Sequence, residues 1–133
     1  MIKVLIVDDS PVATALLKHI LNSDPQIEVI GTASNGEEAI VFTETEKPDL
    51  ITMDIIMPRM DGWTIFKIIR QDHSFDNVPI AILTAKSQQV DQMVGLHIMN
   101  ADAYITKPFG KQELIDKTYE LIGKRKQPSD TGG

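Results

Sequence analysis

The chain has 133 residues, 42% of them hydrophobic and 24% charged, with a formal net charge of −6 at neutral pH. That length suits one domain with its own core, and the acidic balance disfavours non-specific binding to nucleic acid. The absence of cysteine excludes disulfides and thiolate metal sites and fits a reducing, cytoplasmic location; no apolar run approaches the ~20 residues of a membrane span, and no signal peptide precedes the first strand-like segment.

Ile2 to Val7 (IKVLIV) is almost wholly apolar and predicts a central strand covered on both faces, ending in Asp8-Asp9. Ser10-Pro11 then supplies an N-cap and a proline at the first helical position. Ala13, Leu16, Leu17, Ile20 and Leu21 form the apolar stripe of that helix, which Asn22-Ser23-Asp24-Pro25 stops. Ile27 to Ala33 is interrupted by Glu28 and Thr32 and predicts an edge strand. A turn at Ser34-Asn35-Gly36 leads to a helix over Glu37–Glu46, acidic at its start as the helix dipole favours.

Leu50 to Met53 is a short buried strand that ends on Asp54, and Pro58 and Asp61-Gly62 break the chain before a helix with Ile65, Phe66, Ile68 and Ile69 inward. A fourth strand covers Pro79–Leu83 and ends in Thr84-Ala85-Lys86. A fourth helix is predicted over Gln88–Met99, the least regular of the set and weakened by Gly95. A fifth strand, Ala103–Thr106, precedes Lys107-Pro108-Phe109. A last helix covers Lys111–Ile122 with Gly123 placed as its C′ residue, and 124–133 reads as a disordered basic and polar tail after a single domain of 1–123. Five strands alternating with five helices imply an α/β, doubly wound parallel sheet with helices on both faces. Such sheets bind ligands beyond the carboxyl ends of their strands.

Those ends carry Asp8 and Asp9 after the first strand, Asp54 after the third, Thr84 after the fourth and Lys107 after the fifth. Singly, each has a bland reading: Asp-Asp as solvated surface, Asp54 as a loop cap, Thr84 as a turn, Lys107 as a surface lysine. Their recurrence at one rim points to chemistry instead. Carboxylates converging on one point repel unless a cation neutralises them. An all-oxygen set with no His or Cys beside it favours Mg²⁺ before Ca²⁺. A carboxylate beside a metal and a lysine can act as a nucleophile toward phosphorus. His19, His73 and His97 are too scattered for a metal site, and the six methionines suit core filling.

The motifs VLIVDDSP, DLITMDIIMPRMDG, AILTAK and ADAYITKPF together resemble the receiver domain of two-component response regulators, over residues 1 to about 123. The resemblance implies a flavodoxin-like sheet of order 2-1-3-4-5, an order given for the chemotaxis member of that family. It implies that Asp54 is the phosphoacceptor for a histidine kinase or phosphotransfer protein. Asp9, Asp54 and the backbone carbonyl of Ile56 would ligate Mg²⁺, with Asp8 helping through water. Lys107 would pair with a phosphoryl oxygen, and Thr84 and Tyr104 would be the switch pair. Lys107-Pro108 resembles the family's cis peptide. Partners would read the face of the fourth helix, fifth strand and last helix, and phosphorylation-dependent dimerisation fits the same scheme. Asn100-Ala101 departs from the family's usual Gly-Ala, a change that left-handed Asn tolerates.

The opening DDSP and the stretch SDPQIEVIGTASNGEEA resemble receivers joined to chemotaxis methylesterases, so the chain reads either as a complete switch or as the receiver of a larger regulator. Nothing like a helix-turn-helix follows Gly123, and direct nucleic-acid contact is not expected. The competing reading is a Mg²⁺-dependent phosphohydrolase using an aspartyl-phosphate. Haloacid-dehalogenase-like enzymes want Asp-x-Asp after the first strand, however, where this chain has adjacent Asp8-Asp9, and there is no room for a cap domain. Ile56 and Lys86 resemble positions that tune phosphoryl lifetime, and bulky Ile56 would hinder the attacking water. Ile56→Asn is therefore expected to speed autodephosphorylation; an unchanged rate of phosphoryl loss would contradict the assignment.

Overall fold

The computed structural model describes residues 1–54, 62–85, 102–107 and 109–124. Five strands, β1 (Ile2–Val7), β2 (Ile27–Ala33), β3 (Leu50–Asp54), β4 (Ile80–Ala85) and β5 (Ala103–Lys107), form one sheet of order β2-β1-β3-β4-β5. Every neighbouring pair is parallel. Among the described residues the helices are α1 (Pro11–Asn22), α2 (Gly36–Glu46), α3 (Gly62–Gln71) and a C-terminal helix (Lys111–Lys124). The predicted fourth helix, 88–99, the Asp61 cap, and residues 125–133 lie outside the described residues.

The sheet is covered on both faces, as the uninterrupted apolar strands require. Leu5, Val7, Ile51, Met53, Ile80 and Ile82 pack against Ala39 of α2 and Ile65, Phe66 and Ile69 of α3. The alternate residues Val4, Ile6, Leu50, Ala81, Leu83 and Ile105 pack against Leu17, Ile20 and Leu21 of α1 and Leu114, Ile115 and Leu121 of the C-terminal helix. The period-2 alternation thus sorts neighbouring side chains into two cores rather than into core and solvent. Each fully buried aliphatic side chain contributes roughly 1.5–3 kcal/mol.

Helix ends follow local chemistry. Ser10 caps α1, its Oγ accepting the Ala13 N–H at 3.2 Å, with Pro11 at N1. Asn35 caps α2 by accepting the Glu38 N–H at 2.9 Å. Glu38 reaches back with Oε1 to accept from the Ser34 hydroxyl at 2.7 Å and the Ser34 N–H at 2.9 Å. The Ser34 hydroxyl first, and its amide second, hold the Glu38 carboxyl below the usual carboxylate range. A group with a lowered folded pKa stabilises above its unfolded value and loses that contribution as pH falls through the folded one. This reciprocal cap is therefore intact at neutral pH and released by acid. At its other end α2 stops on Lys47 in left-handed geometry (φ 49°), followed by Pro48.

Three expectations shift. Leu16 is 52% exposed rather than part of the inner stripe of α1. It lies about 100° round the helix from buried Leu17, on a flank that neither the sheet nor the C-terminal helix covers. Gly123 does not end the last helix, which runs on to Lys124, and no described glycine has positive φ. Thr84 and Lys107 lie within the last pairs of their strands rather than after them, Thr84 opposite Thr106 and Ala85 opposite Lys107.

Away from the acidic rim, Arg70 ties α3 to the base of the sheet. Its guanidinium donates to the Phe75 and Val78 carbonyls at 3.0 and 2.9 Å and to Asp102 at 2.6 Å. The same Asp102 oxygen accepts the Ile80 N–H at 2.8 Å, so the starts of β4 and β5 are closed by one carboxylate.

The β1–β2 register slips between Val4, opposite Val29, and Leu5, opposite Gly31. At this bulge the Phe42 ring of α2 lies directly on Gly31; a β-carbon there would sit 2.1 Å from the ring's Cζ. Gly31→Ala is expected to destabilise by about 1–3 kcal/mol as the ring is forced aside, read by urea unfolding. Truncating Phe42 as well should recover part of the loss. An Ala variant as stable as wild type would show that the ring moves freely.

Candidate functional site

The order of the sheet reverses between β1 and β3, which are neighbours although α1, β2 and α2 separate them in sequence. The chain leaves β1 toward one edge and β3 toward the other, so the loops after them diverge and leave a crevice. Val7 pairs with Met53, which puts Asp8 and Asp54 side by side as the next residue of each strand. Asp8, Asp9 and Asp54 each present a carboxylate oxygen within 4.8 Å of the others.

Asp8 and Asp54 are buried, at 3% and 8% exposure, while Asp9 stands partly open at the rim. β5 delivers Lys107 across the strand ends, with Nζ 3.2 Å from Asp8 Oδ2 and 3.8 Å from Asp54 Oδ2. The other Asp8 oxygen accepts the Ser10 N–H at 2.9 Å, and the Asp8 N–H donates to Ala33 O at 3.0 Å. The sequence marks Ser10 only as a helix cap, not as a member of the site. The signal existed: an Asp two residues before a capping Ser, where an Asx-turn bond is common.

Among the described residues, three carboxylates against one ammonium leave a formal excess of two negative charges in a small, partly buried volume. At an effective dielectric of about 20, two unit charges roughly 5 Å apart repel by about 3 kcal/mol. One lysine does not cancel that. The oxygen-only donor set, with two members fixed at the ends of adjacent strands and the third open to water, suits a hard divalent cation that retains waters. The residues present therefore fit Mg²⁺.

Of the other residues named from sequence, Thr84 lies on β4 opposite Thr106. Tyr104 pairs with Ile82 and packs half-buried against the core on the α2–α3 face. Thr84 and Lys107 are thus carried by adjacent parallel strands that end at one rim. Ile56, Lys86 and Pro108 lie outside the described residues, as does His97. His19 is exposed on α1, and His73 lies in the 3₁₀ turn His73–Phe75 beside Asp76, away from the rim. A cleft of about 460 Å³ adjoins the acidic cluster between α1 and α2, lined by Asp8, Asp9, Lys18 and Glu38 together with Pro11, Ala15 and others.

The repulsion has a measurable consequence. In metal-free buffer, Asp54→Asn should stabilise the protein by about 1–2 kcal/mol by removing one of the crowded charges, whereas Lys107→Met should destabilise it by a similar amount. Urea unfolding with a chelator present checks both; an Asp54→Asn variant weaker than wild type would contradict the charge account.

Comparison with known proteins agrees with this geometry. The family model of the response regulator receiver domain matches residues 4–119. The alkaline phosphatase synthesis transcriptional regulatory protein of Bacillus subtilis is 44% identical over 120 residues, covering 90% of this chain and 48% of that protein. A protein-glutamate methylesterase/protein-glutamine glutaminase of Syntrophus aciditrophicus is 46% identical over 110 residues, covering 81% of this chain and 31% of that protein. The chain thus spans about half or less of the length of these relatives. Among solved structures, the receiver domain of a sensor histidine kinase from Pseudomonas aeruginosa, described with a magnesium ion coordinated in its active-site cleft, superposes with a TM-score of 0.80 at 30% identity, covering 91% of this chain and 97% of that one. The family model spans most of the chain, which therefore belongs to the response regulator receiver domains.

Proposed function

We propose that the chain, over residues 1–123, is a signalling switch that takes a phosphoryl group onto Asp54 from the phosphohistidine of a sensor histidine kinase or phosphotransfer protein. The observation that carries this is Lys107 Nζ standing 3.2 and 3.8 Å from two buried carboxylates, with a third carboxylate oxygen within 4.8 Å of both. An Asp54 oxygen attacks phosphorus in line; the P–N bond to the donor imidazole breaks and the imidazole leaves with the electron pair. Lys107 neutralises one phosphoryl oxygen as negative charge gathers there. Asp8, Asp9, Asp54 and the Ile56 carbonyl would hold Mg²⁺, which supplies charge neutralisation at the phosphoryl oxygens when bound.

Thr84, one residue before the end of β4, and Tyr104, three residues before Lys107 on the adjacent β5, are the switch residues in this reading. A charge introduced at one rim biases a two-state domain, and the surface of the predicted fourth helix, β5 and the C-terminal helix carries the change to a protein partner or a second copy. Ile56 and Lys86 set the phosphoryl lifetime. The chain turns over no external substrate beyond its own phosphorylation and dephosphorylation. It works in the cytoplasm, and no described helix is long and apolar enough to cross a membrane. The greater length of the relatives supports its serving as the receiver of a larger regulator.

Incubation with a small acyl phosphate, with and without Mg²⁺, followed by intact-mass measurement, tests the reading on wild type and Asp54→Asn. One Mg²⁺-dependent phosphoryl adduct, absent from the variant, is expected. Donor consumed over many turnovers without an adduct would instead favour the phosphohydrolase, and neither adduct nor hydrolysis would contradict self-phosphorylation.

A further inference from the structure

Ser10 makes three hydrogen bonds that point in two directions. Its main-chain N–H donates to Asp8 Oδ1 at 2.9 Å. Its Oγ accepts the Ala13 N–H at 3.2 Å, and its carbonyl accepts the Thr14 N–H at 2.9 Å. One residue therefore holds a carboxylate of the acidic rim and, at the same time, both the otherwise unsatisfied Ala13 amide and the first intrahelical bond of α1, that from Thr14. Pro11 follows and fixes φ at the first helical position, which limits how far Ser10 can turn without disturbing the helix.

The Asp8 side chain is 1% exposed, and its second oxygen faces Lys107 at 3.2 Å. Rotation of this carboxylate cannot be compensated by water: it would strand a buried charge without its Ser10 donor. Whatever fixes Asp8 must then fix Ser10, and whatever frays the first turn of α1 must loosen Asp8. We propose that Ser10 is a positioning residue that joins the acidic pocket and the first turn of α1 into one cooperative unit, so that a divalent cation at the pocket tightens that turn. The inference rests on the reading of the acidic rim as a Mg²⁺ site, and goes beyond it by assigning the coupling to a residue that need not touch the ion.

The test is Mg²⁺ titration of the ¹⁵N-labelled protein, following shifts for affinity and amide hydrogen exchange for local order, on wild type, Ser10→Ala and Ser10→Thr. In wild type, saturation should slow exchange at Ala13 and Thr14 severalfold beyond any change at Ile20 and Leu21 in the last turns of α1. Ser10→Ala keeps the N–H to Asp8 but loses the cap; it should weaken Mg²⁺ by about threefold, a fraction of a typical cap's worth, and lose the local slowing. Ser10→Thr, which restores the capping oxygen, should recover both. A purely structural cap would lower the melting temperature of Ser10→Ala and leave Mg²⁺ affinity as in wild type, and that result overturns the inference. So does equal slowing along the whole of α1. No Mg²⁺ binding by folded wild type would overturn the reading of the rim itself, and the coupling with it.

Discussion

The adjacency of β1 and β3 governs the rest. Because Val7 pairs with Met53, the next residue of each strand is forced to the same place, and both are aspartates. Neither can retreat: the strands that carry them are buried on both faces, with Val4 to Val7 and Leu50, Ile51 and Met53 at most 1% exposed. The folding energy of the two cores therefore holds together charges that repel. Lys107 offsets part of that repulsion from the far edge strand, and Ser10 holds the oxygen of Asp8 that Lys107 does not face.

This is a common division of labour in α/β sheets. Stability comes from apolar strands and the helices over them, and function is placed where the strands stop and backbone groups no longer pair with one another. The Arg70–Asp102 clamp lies at the opposite end, at the starts of β4 and β5, where its bonds to the Phe75 and Val78 carbonyls and the Ile80 N–H close the sheet. The two ends carry similar residue types for different reasons. At the base, the Asp102 charge meets an Arg directly at 2.6 Å; at the rim, three carboxylates share one lysine. Among the described residues, the second arrangement leaves negative charge over, and there a cation has something to gain.

Much of this was legible in the chain. Apolar runs of β1 and β3, the Ser10-Pro11 start of α1 and the recurrence of Asp, Thr and Lys at strand ends carried the fold and the rim. Strand order did not come from periodicity, which is blind to which strands neighbour one another; it came with the family resemblance and is seen in the sheet. The exposure of Leu16 escaped because a helical wheel shows which side chains share a face, not how far the neighbouring elements extend over it. The close seat of Phe42 on Gly31 escaped because it depends on a bulge, a local slip with no signature in composition. Lys47 in left-handed geometry escaped because Gly or Asn is usual there. The hold of Ser10 on Asp8 is hidden for a different reason: a serine before a proline is fully accounted for by its cap, and the second bond is made by its main-chain N–H rather than its side chain.

An acidic rim with more negative charge than Lys107 balances should bind a divalent cation in the folded state alone. Thermal unfolding of wild type and Asp54→Asn over a Mg²⁺ series addresses it most directly. Binding to the native state adds stability as RT ln(1 + [Mg²⁺]/Kd), about 1.4 kcal/mol at ten times Kd. The wild-type midpoint should climb with the logarithm of Mg²⁺ concentration, and the Asp54→Asn midpoint should start higher and climb far less. A wild-type midpoint indifferent to millimolar Mg²⁺, or equal slopes for the two proteins, would contradict it.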